Sequence, residues 1–127
     1  MRTAKKAPAA SPKECAKRCS CGACFSREDL IRRPSITPVG MLHLLGEDVA
    51  TTMYLFTHTR WSCRTTFALP VLTFRDEIHE EIPTNLLAGT DSCGGHCTKI
   101  DDLEVCENEC ALAPYRRFLL ERLIPRK

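Results

Sequence analysis

The 127-residue sequence has no hydrophobic run near the ~18 residues that a membrane-crossing helix needs; its apolar stretches are short, as in residues 67–72 (FALPVL). No membrane partner is therefore expected. Aromatics are few, with one Trp, two Tyr and five Phe, so only a modest core can form. Catalytic signatures are missing as well: there is no Gly-rich phosphate loop, no HExxH helix and no Gly-x-Ser-x-Gly elbow. With no recognisable reaction centre, the expectation is a protein that is not an enzyme. Internal repeats and low-complexity segments are absent too. The opening stretch MRTAKKAPAASP is basic but lacks the apolar segment of a secretory signal, and Pro8, Pro12 and its Lys-rich character argue against an amphipathic mitochondrial presequence. Residues 1–12 are expected to form a basic disordered tail. The expected location is intracellular, cytoplasmic or nuclear, with the mitochondrion as the next choice. At 43% hydrophobic and 27% charged the chain is too apolar for disorder throughout, so residues 13–127 are expected to form a single small domain.

Cysteine, by contrast, is abundant. Nine residues of 127, about 7%, are cysteine, far above ordinary usage. They divide as four, one and four: Cys15, Cys19, Cys21 and Cys24; Cys63; then Cys93, Cys97, Cys106 and Cys110. In a reducing compartment such clusters hold metal more often than they form disulfides, and an odd count leaves one thiol over in a fully paired framework. A structural zinc takes four thiolate or imidazole ligands, commonly as two close pairs from separate turns. Cys21-Gly22-Ala23-Cys24 is such a pair, and Cys15 with Cys19 is the second. Cys19-Ser20-Cys21 is awkward, because side chains two apart diverge in an extended strand. The later cluster, Cys93-x3-Cys97 and Cys106-x3-Cys110, is compatible with one closed site, in which His96 can substitute for Cys97. The expectation is one or two Zn2+ ions, in serial or cross-braced arrangement. Disulfides are the main competitor, with iron–sulfur or free thiols behind. The lone Cys63 is expected to be a small buried hydrophobe; the sharper alternative is a nucleophile activated by His58 and Arg64.

Two motifs carry partial resemblances. CGACFSREDLIRR resembles the start of a two-Cys, two-His zinc finger, with its Cys pair, Phe and Leu, but no His pair follows and the next histidine is the isolated His43. The Cys-x3-Cys pairs resemble the twin motifs of small mitochondrial intermembrane-space chaperones. Those motifs lie in helices, and Gly94-Gly95 makes the first one here a poor helix. Neither likeness covers more than a quarter of the chain, and neither assigns a family.

The coarse structural reading is α+β: a small antiparallel β-hairpin or sheet core with a C-terminal amphipathic helix, stabilised by cysteine-ligated zinc. Residues 13–34 form the first cysteine cluster, and the short helix over 25–33 has Ser26 as N-cap, Asp29 in a capping-box position and Pro34 as its stop. Residues 35–92 are β-rich and acidic. The run Val39 to Leu45 is left open between strand and helical turn, with His43 a core or edge residue. Residues 51–59 and 65–74 are strands joined by a hairpin connection, with Pro70 on an edge or at a bulge. Ile78 and Ile82 have helical spacing, ended by Pro83. The nearby Asp76, Glu77, Glu80 and Glu81 read as a solvated face. Residues 93–127 hold the second cluster and a helix over 111–124, with Leu112, Tyr115, Leu119 and Leu123 as its apolar stripe.

The net charge of +2 hides a partition: residues 1–34 balance at +6, residues 35–110 at −8 and residues 111–127 at +4. The basic ends suit phosphate backbones or acidic protein surfaces, or else fold back onto the acidic middle. The candidate contacts are Lys5, Lys6, Lys17, Arg18, Arg32, Arg33, Arg116, Arg117, Arg122, Arg126 and Lys127. The expected function is a non-enzymatic zinc-binding module for nucleic acid, ribonucleoprotein or protein partners, the last through any uncovered part of the C-terminal helix. The alternative is a disulfide-stabilised protein of an oxidising compartment, and after it a zinc- or cysteine-dependent enzyme.

Overall fold

The computed structural model describes residues 15–60, 63–91 and 93–125, so the expected tail over 1–12, with Lys5 and Lys6, and the terminal Arg126 and Lys127 lie outside the described residues. Two antiparallel sheets and a few short helices make an α+β arrangement. Strand β1 (Lys17–Arg18) pairs with β2 (Cys24–Phe25) in a two-stranded ribbon. Helix α1 (Arg27–Arg32) follows. Strands β3 (Ile36–Leu42), β4 (Met53–His58) and β5 (Thr66–Pro70) then form a three-stranded sheet in that order. Helix α2 (Ala113–Phe118) comes last and runs on through a wider π-helical turn at Leu119–Leu123.

Each element has a local cause. In α1, the Ser26 hydroxyl accepts from the Asp29 amide at 3.1 Å while the Asp29 carboxylate accepts from the Ser26 amide at 3.0 Å. This reciprocal cap satisfies donors that a helix start leaves orphaned. β4 is the central strand, and its alternation is strict: Tyr54, Phe56 and His58 are buried while Met53, Leu55 and Thr57 are half-buried. The open stretch over 39–45 begins as strand, within β3. Its register against β4 shifts between Pro38 and Gly40, so Val39 is an extra, bulged residue. Gly40 is required there, because a Cβ would fall 2.0 Å from the Ile100 carbonyl oxygen. Pro38 and Pro70 both sit on edge strands, where a missing ladder donor does least harm. The strand expected over 65–74 stops at Pro70, and the chain turns into a 3-10 segment, Val71–Glu77, that buries Val71 and Phe74. The helical turn read from Ile78 and Ile82 is not formed: Ile78 is already extended at φ −100 and ψ 117. A buried Ile78 packs equally well from an extended backbone, so spacing alone misassigned it.

The buried face of the sheet is covered by the C-terminal helix. Leu112, Tyr115, Leu119 and Leu123, the expected stripe, are all buried. Phe118 packs tilted against Phe74 at 5.3 Å, Phe74 lies 5.6 Å from Tyr54, and Tyr54 Oη donates to the Tyr115 carbonyl at 2.6 Å. The stripe thus belongs to this chain's own core. His43 is also buried, bonded to Thr52 Oγ1 at 2.9 Å, and burial lowers its pKa.

The basic ends fold back on the acidic middle. Arg27 reaches Asp76 at 3.7 Å, Arg122 reaches Glu77 at 3.4 Å, and Arg117 donates through Nε and Nη2 to the two Glu80 carboxylate oxygens. Arg116 goes further, being 0% exposed. Its guanidinium donates to the Glu104 and Asp102 carbonyls at 2.5 Å each, to the Asp102 carboxylate at 3.1 Å and to the His96 carbonyl at 3.4 Å. A buried charge is tolerated only when paired and bonded in this way. Arg116 therefore staples the segment between Ile78 and Leu112, whose one regular turn among the described residues is His96–Thr98. Replacing Arg116 with Met is expected to cost about 3–5 kcal/mol because it strands Asp102 and its carbonyls, whereas Arg117→Met, at an exposed pair, costs about 0.2–1 kcal/mol. Urea denaturation of both variants measures the contrast; equal losses would contradict the staple.

Candidate metal centre

The ribbon β1–β2 closes through a tight turn in which the Gly22 amide donates to the Cys19 carbonyl at 2.9 Å and the Cys19 amide to the Ala23 carbonyl at 2.8 Å. Gly22 takes φ +96, the left-handed region that glycine tolerates without strain. This turn removes the divergence expected of Cys19 and Cys21, since the chain is not extended between them. The ribbon leans on the β4–β5 hairpin: Phe25 meets His58 edge-on at 5.0 Å and stacks on Phe67 at 6.0 Å, while Ser20 Oγ and Thr65 Oγ1 lie 3.1 Å apart. His58 ends β4 on its buried face, and Cys63 lies in the hairpin connection, where its amide donates to the Arg60 carbonyl at 2.8 Å.

These contacts bring four ligand atoms together. The donor atoms of Cys19, Cys21, His58 and Cys63 all lie within 4.8 Å of one another. Cys19 Sγ and Cys63 Sγ are 3.4 Å apart, and Cys21 Sγ is 3.6 Å from His58 Nδ1. Cys19 and His58 are buried, Cys63 is half-buried and Cys21 is exposed. Three thiols and an imidazole are a donor set of the kind that closes a tetrahedral zinc site, so this Cys3His group can hold a metal ion. Protonation is divided within it. Hydrogen bonding to Thr65 brings the Cys63 thiol down to about 6, helped by bonds from Cys19 and His58, while burial pushes Cys19 up. As a thiolate, Cys63 accepts from the Thr65 hydroxyl 3.2 Å away and from the Cys19 thiol. Metal binding would displace the remaining thiol protons, so affinity should rise with pH.

The first sequence cluster is thus divided. Cys19 and Cys21 join the centre, but Cys15 and Cys24 are bonded to each other as a disulfide, with Cα atoms 5.4 Å apart across the open end of the ribbon. His58 and Cys63 take the two places that sequence spacing had given to Cys15 and Cys24. His58 and Cys63 flank the start of one short hairpin connection, and this, with the odd ninth cysteine, was the available signal.

Of the second cluster, Cys97, Cys106 and Cys110 are buried and Cys93 is half-buried. Among the described residues, no three ligand atoms from Cys93, His96, Cys97, Cys106 and Cys110 fall within 4.8 Å of one another. Burial pushes the Cys97 thiol up to about 11, and His96 Nδ1 lies 2.8 Å from an Asp102 carboxylate oxygen. That carboxyl is held below its ordinary value, first by the Glu104 amide and also by His96 and Arg116.

The basic candidates fall into two groups. Lys17 sits over the Phe67 ring at 6.0 Å, Arg18 donates to the Gly22 carbonyl at 3.0 Å, and Arg32 and Arg33 pair with Glu28 and Asp29 one helical turn back. Arg18, Arg32 and Arg33 are exposed. At the other end Arg117 and Arg122 are held by Glu80 and Glu77, and Arg116 is too deeply buried to reach a phosphate, which corrects its reading as a surface contact. Its charge is needed inside, where three carbonyl oxygens and Asp102 surround it.

No protein-family model, curated protein or solved structure matches the chain. The site must therefore be read from its own chemistry. In metal-free protein, alkylation of Cys63 by iodoacetamide is expected to rise with a midpoint near pH 6 and to shift upward in Thr65→Val. Because the folded value lies below the ordinary 9.0, this thiolate adds stability that is complete above pH 9 and lost as pH falls through about 6. Peptide-mapped alkylation rates measure the midpoint; an ordinary thiol midpoint would contradict the geometry.

Proposed function

We propose that the protein is a non-enzymatic, zinc-stabilised module that binds nucleic acid or a ribonucleoprotein through its N-terminal face. The observation that carries this reading is the convergence of Cys19, Cys21, His58 and Cys63. Four protein ligands fill a tetrahedral ion, leaving no position for substrate or activated water, which is the pattern of a structural rather than a catalytic zinc. The ion would tie the ribbon to the hairpin and so set the attitude of the segment that follows it. Lys17, Arg18, Arg32 and Arg33 lie on that ribbon and at the end of α1, and the Arg32–Glu28 pair is of the exposed kind that a phosphate displaces at little cost. Lys5 and Lys6, outside the described residues, add positive charge at the same end of the sequence. An intracellular location, cytoplasmic or nuclear, accords with thiols kept reduced for metal.

A second reading has one observation in its favour. The Cys15–Cys24 bond supports a disulfide-stabilised protein of an oxidising compartment. Native and denaturing mass spectrometry separates the two, by a zinc adduct lost in acid against the loss of paired protons without metal.

Binding to single- or double-stranded RNA or DNA is expected to weaken with salt, at a log–log slope of about −3 to −4 for four phosphate contacts. The double variant Arg32→Glu, Arg33→Glu should weaken it tenfold or more, while Arg117→Glu changes it little. Fluorescence anisotropy across a salt series measures both; no binding at low salt would sink the nucleic-acid reading. Stripping zinc with a chelator is expected to abolish that binding and to release the ribbon, since structural zinc in small domains supplies about 10–16 kcal/mol.

A further inference from the structure

Within the Cys3His group, Cys19 Sγ and Cys63 Sγ stand 3.4 Å apart although 44 positions separate the two residues in sequence. We propose that Cys19 and Cys63 are a redox-active dithiol that reduces a hydroperoxide, and that the disulfide so formed opens the metal centre.

The two sulfurs are already in contact. Closing them to the ~2.05 Å of a disulfide bond needs an approach of about 1.4 Å. The flanking residues hold the two chain segments side by side, with Ser20 Oγ and Thr65 Oγ1 3.1 Å apart. Competing partners are few. Cys15 and Cys24 are bonded to each other, Cys21 Sγ lies 3.6 Å from His58 Nδ1, and Cys93, Cys97, Cys106 and Cys110 stand outside this group.

Access differs between the two thiols in a useful way. Cys63 is half-buried in the hairpin connection, between the exposed Arg60 and Arg64, whereas Cys19 is only 3% exposed. An attacking thiol must meet the oxidant, while a resolving thiol need only meet the attacker, so Cys63 takes the first role and Cys19 the second. The backbone beside Cys63 carries the second sign of a built site. Arg64 adopts φ +58 and is the only non-glycine residue with a positive φ among the described residues. Strained backbone of this kind gathers at functional positions. Arg64 lies between Cys63 and Thr65, whose Sγ and Oγ1 meet at 3.2 Å, so the Thr65 hydroxyl holds the Cys63 sulfur where Cys19 can reach it.

Atoms and electrons balance on these two residues and one hydroperoxide, ROOH. The Cys63 sulfur attacks one peroxide oxygen, the O–O bond breaks, and Cys63 becomes a sulfenic acid while its thiol proton leaves with the other oxygen as ROH. The Cys19 sulfur then attacks the sulfenic sulfur. The S–O bond breaks, the S–S bond forms, and the hydroxyl departs with the Cys19 proton as water. Two thiols are oxidised by two electrons, and the hydroperoxide is reduced to ROH and water. One hydroperoxide is consumed per chain, which suits a sensor. The consequence for the metal rests on the zinc reading above. The disulfide takes two of the four ligand atoms and leaves Cys21 and His58, too few for a structural zinc. The same bond joins the ribbon turn to the hairpin connection, so a covalent tie replaces the metal tie.

Titrating the zinc-loaded full chain with hydrogen peroxide, beside an anaerobic control, tests both halves. Each chain should release one zinc ion to a chromophoric chelator, and differential alkylation with peptide mapping should find Cys19 joined to Cys63. Reduction with dithiothreitol and added zinc should reverse both. Cys19→His keeps four ligand atoms but removes the resolving thiol, so Cys63 should stop at a sulfenic acid that dimedone labels. Cys21→His also keeps four ligand atoms and should still form the Cys19–Cys63 bond. If the chain carries no zinc, the zinc reading fails alone, and mapping of the peroxide-treated metal-free chain decides the dithiol: a Cys19–Cys63 bond upholds it. A different disulfide, Cys21→His behaving as Cys19→His does, or both thiols surviving excess peroxide would overturn the dithiol. A Cys19–Cys63 bond formed with the zinc still held would overturn the opening of the centre.

Discussion

The strict alternation of β4 is the constraint on which the rest of the structure depends. As the central strand it has a ladder on both sides, and only one face of it can turn to the core. Tyr54 and Phe56 occupy that face and receive Phe74 and the C-terminal helix. His58 is the next residue of the same parity, and it emerges where the sheet ends. The register that buries the aromatics therefore delivers the imidazole to the ribbon turn. A one-residue slip would expose Tyr54 and Phe56 and turn His58 away from the cysteines, so core and candidate site cannot vary separately.

Polar groups organise what the small core does not reach. With eight aromatics in the whole chain, the core spans the sheet and the helix but not the long irregular segment before α2. Arg116 holds that segment from within by binding backbone carbonyls, and Arg117, Arg122 and Arg27 hold the acidic stretch from outside. The basic C-terminal end is thus a structural counterpart to the acidic middle. On the N-terminal side Arg18, Arg32 and Arg33 are exposed, the last two in pairs with Glu28 and Asp29, close in sequence to the ribbon turn that carries Cys19 and Cys21.

Much of this could be read in the residues beforehand, where local rules suffice. Ser26 and Asp29 cap a short helix because a reciprocal cap needs only two residues three positions apart. The β4–β5 hairpin follows from alternation and a short connection, and the helix stripe Leu112, Tyr115, Leu119, Leu123 follows from a 3.6-residue period. The partners of the cysteines were not legible in the same way. Cys15, Cys19, Cys21 and Cys24 are close in sequence, but the ribbon turns two of them toward the sheet and pairs the other two across its open end. Arg116 misled for a similar reason: its place on the helix was evident, but the carbonyls that bury it come from residues 96 to 104.

By itself the sequence determined the kinds of chemistry present: thiols in excess, no membrane-crossing helix, an antiparallel core and a helix to cover it. Those depend on composition and on short-range periodicity, which each segment carries alone. The tertiary structure decided which thiols meet, bringing His58 and Cys63 to Cys19 and Cys21 across a hairpin and a ribbon. Ligation needs four atoms within a few ångströms. That distance is set by how separate elements pack, and spacing along the chain does not contain it.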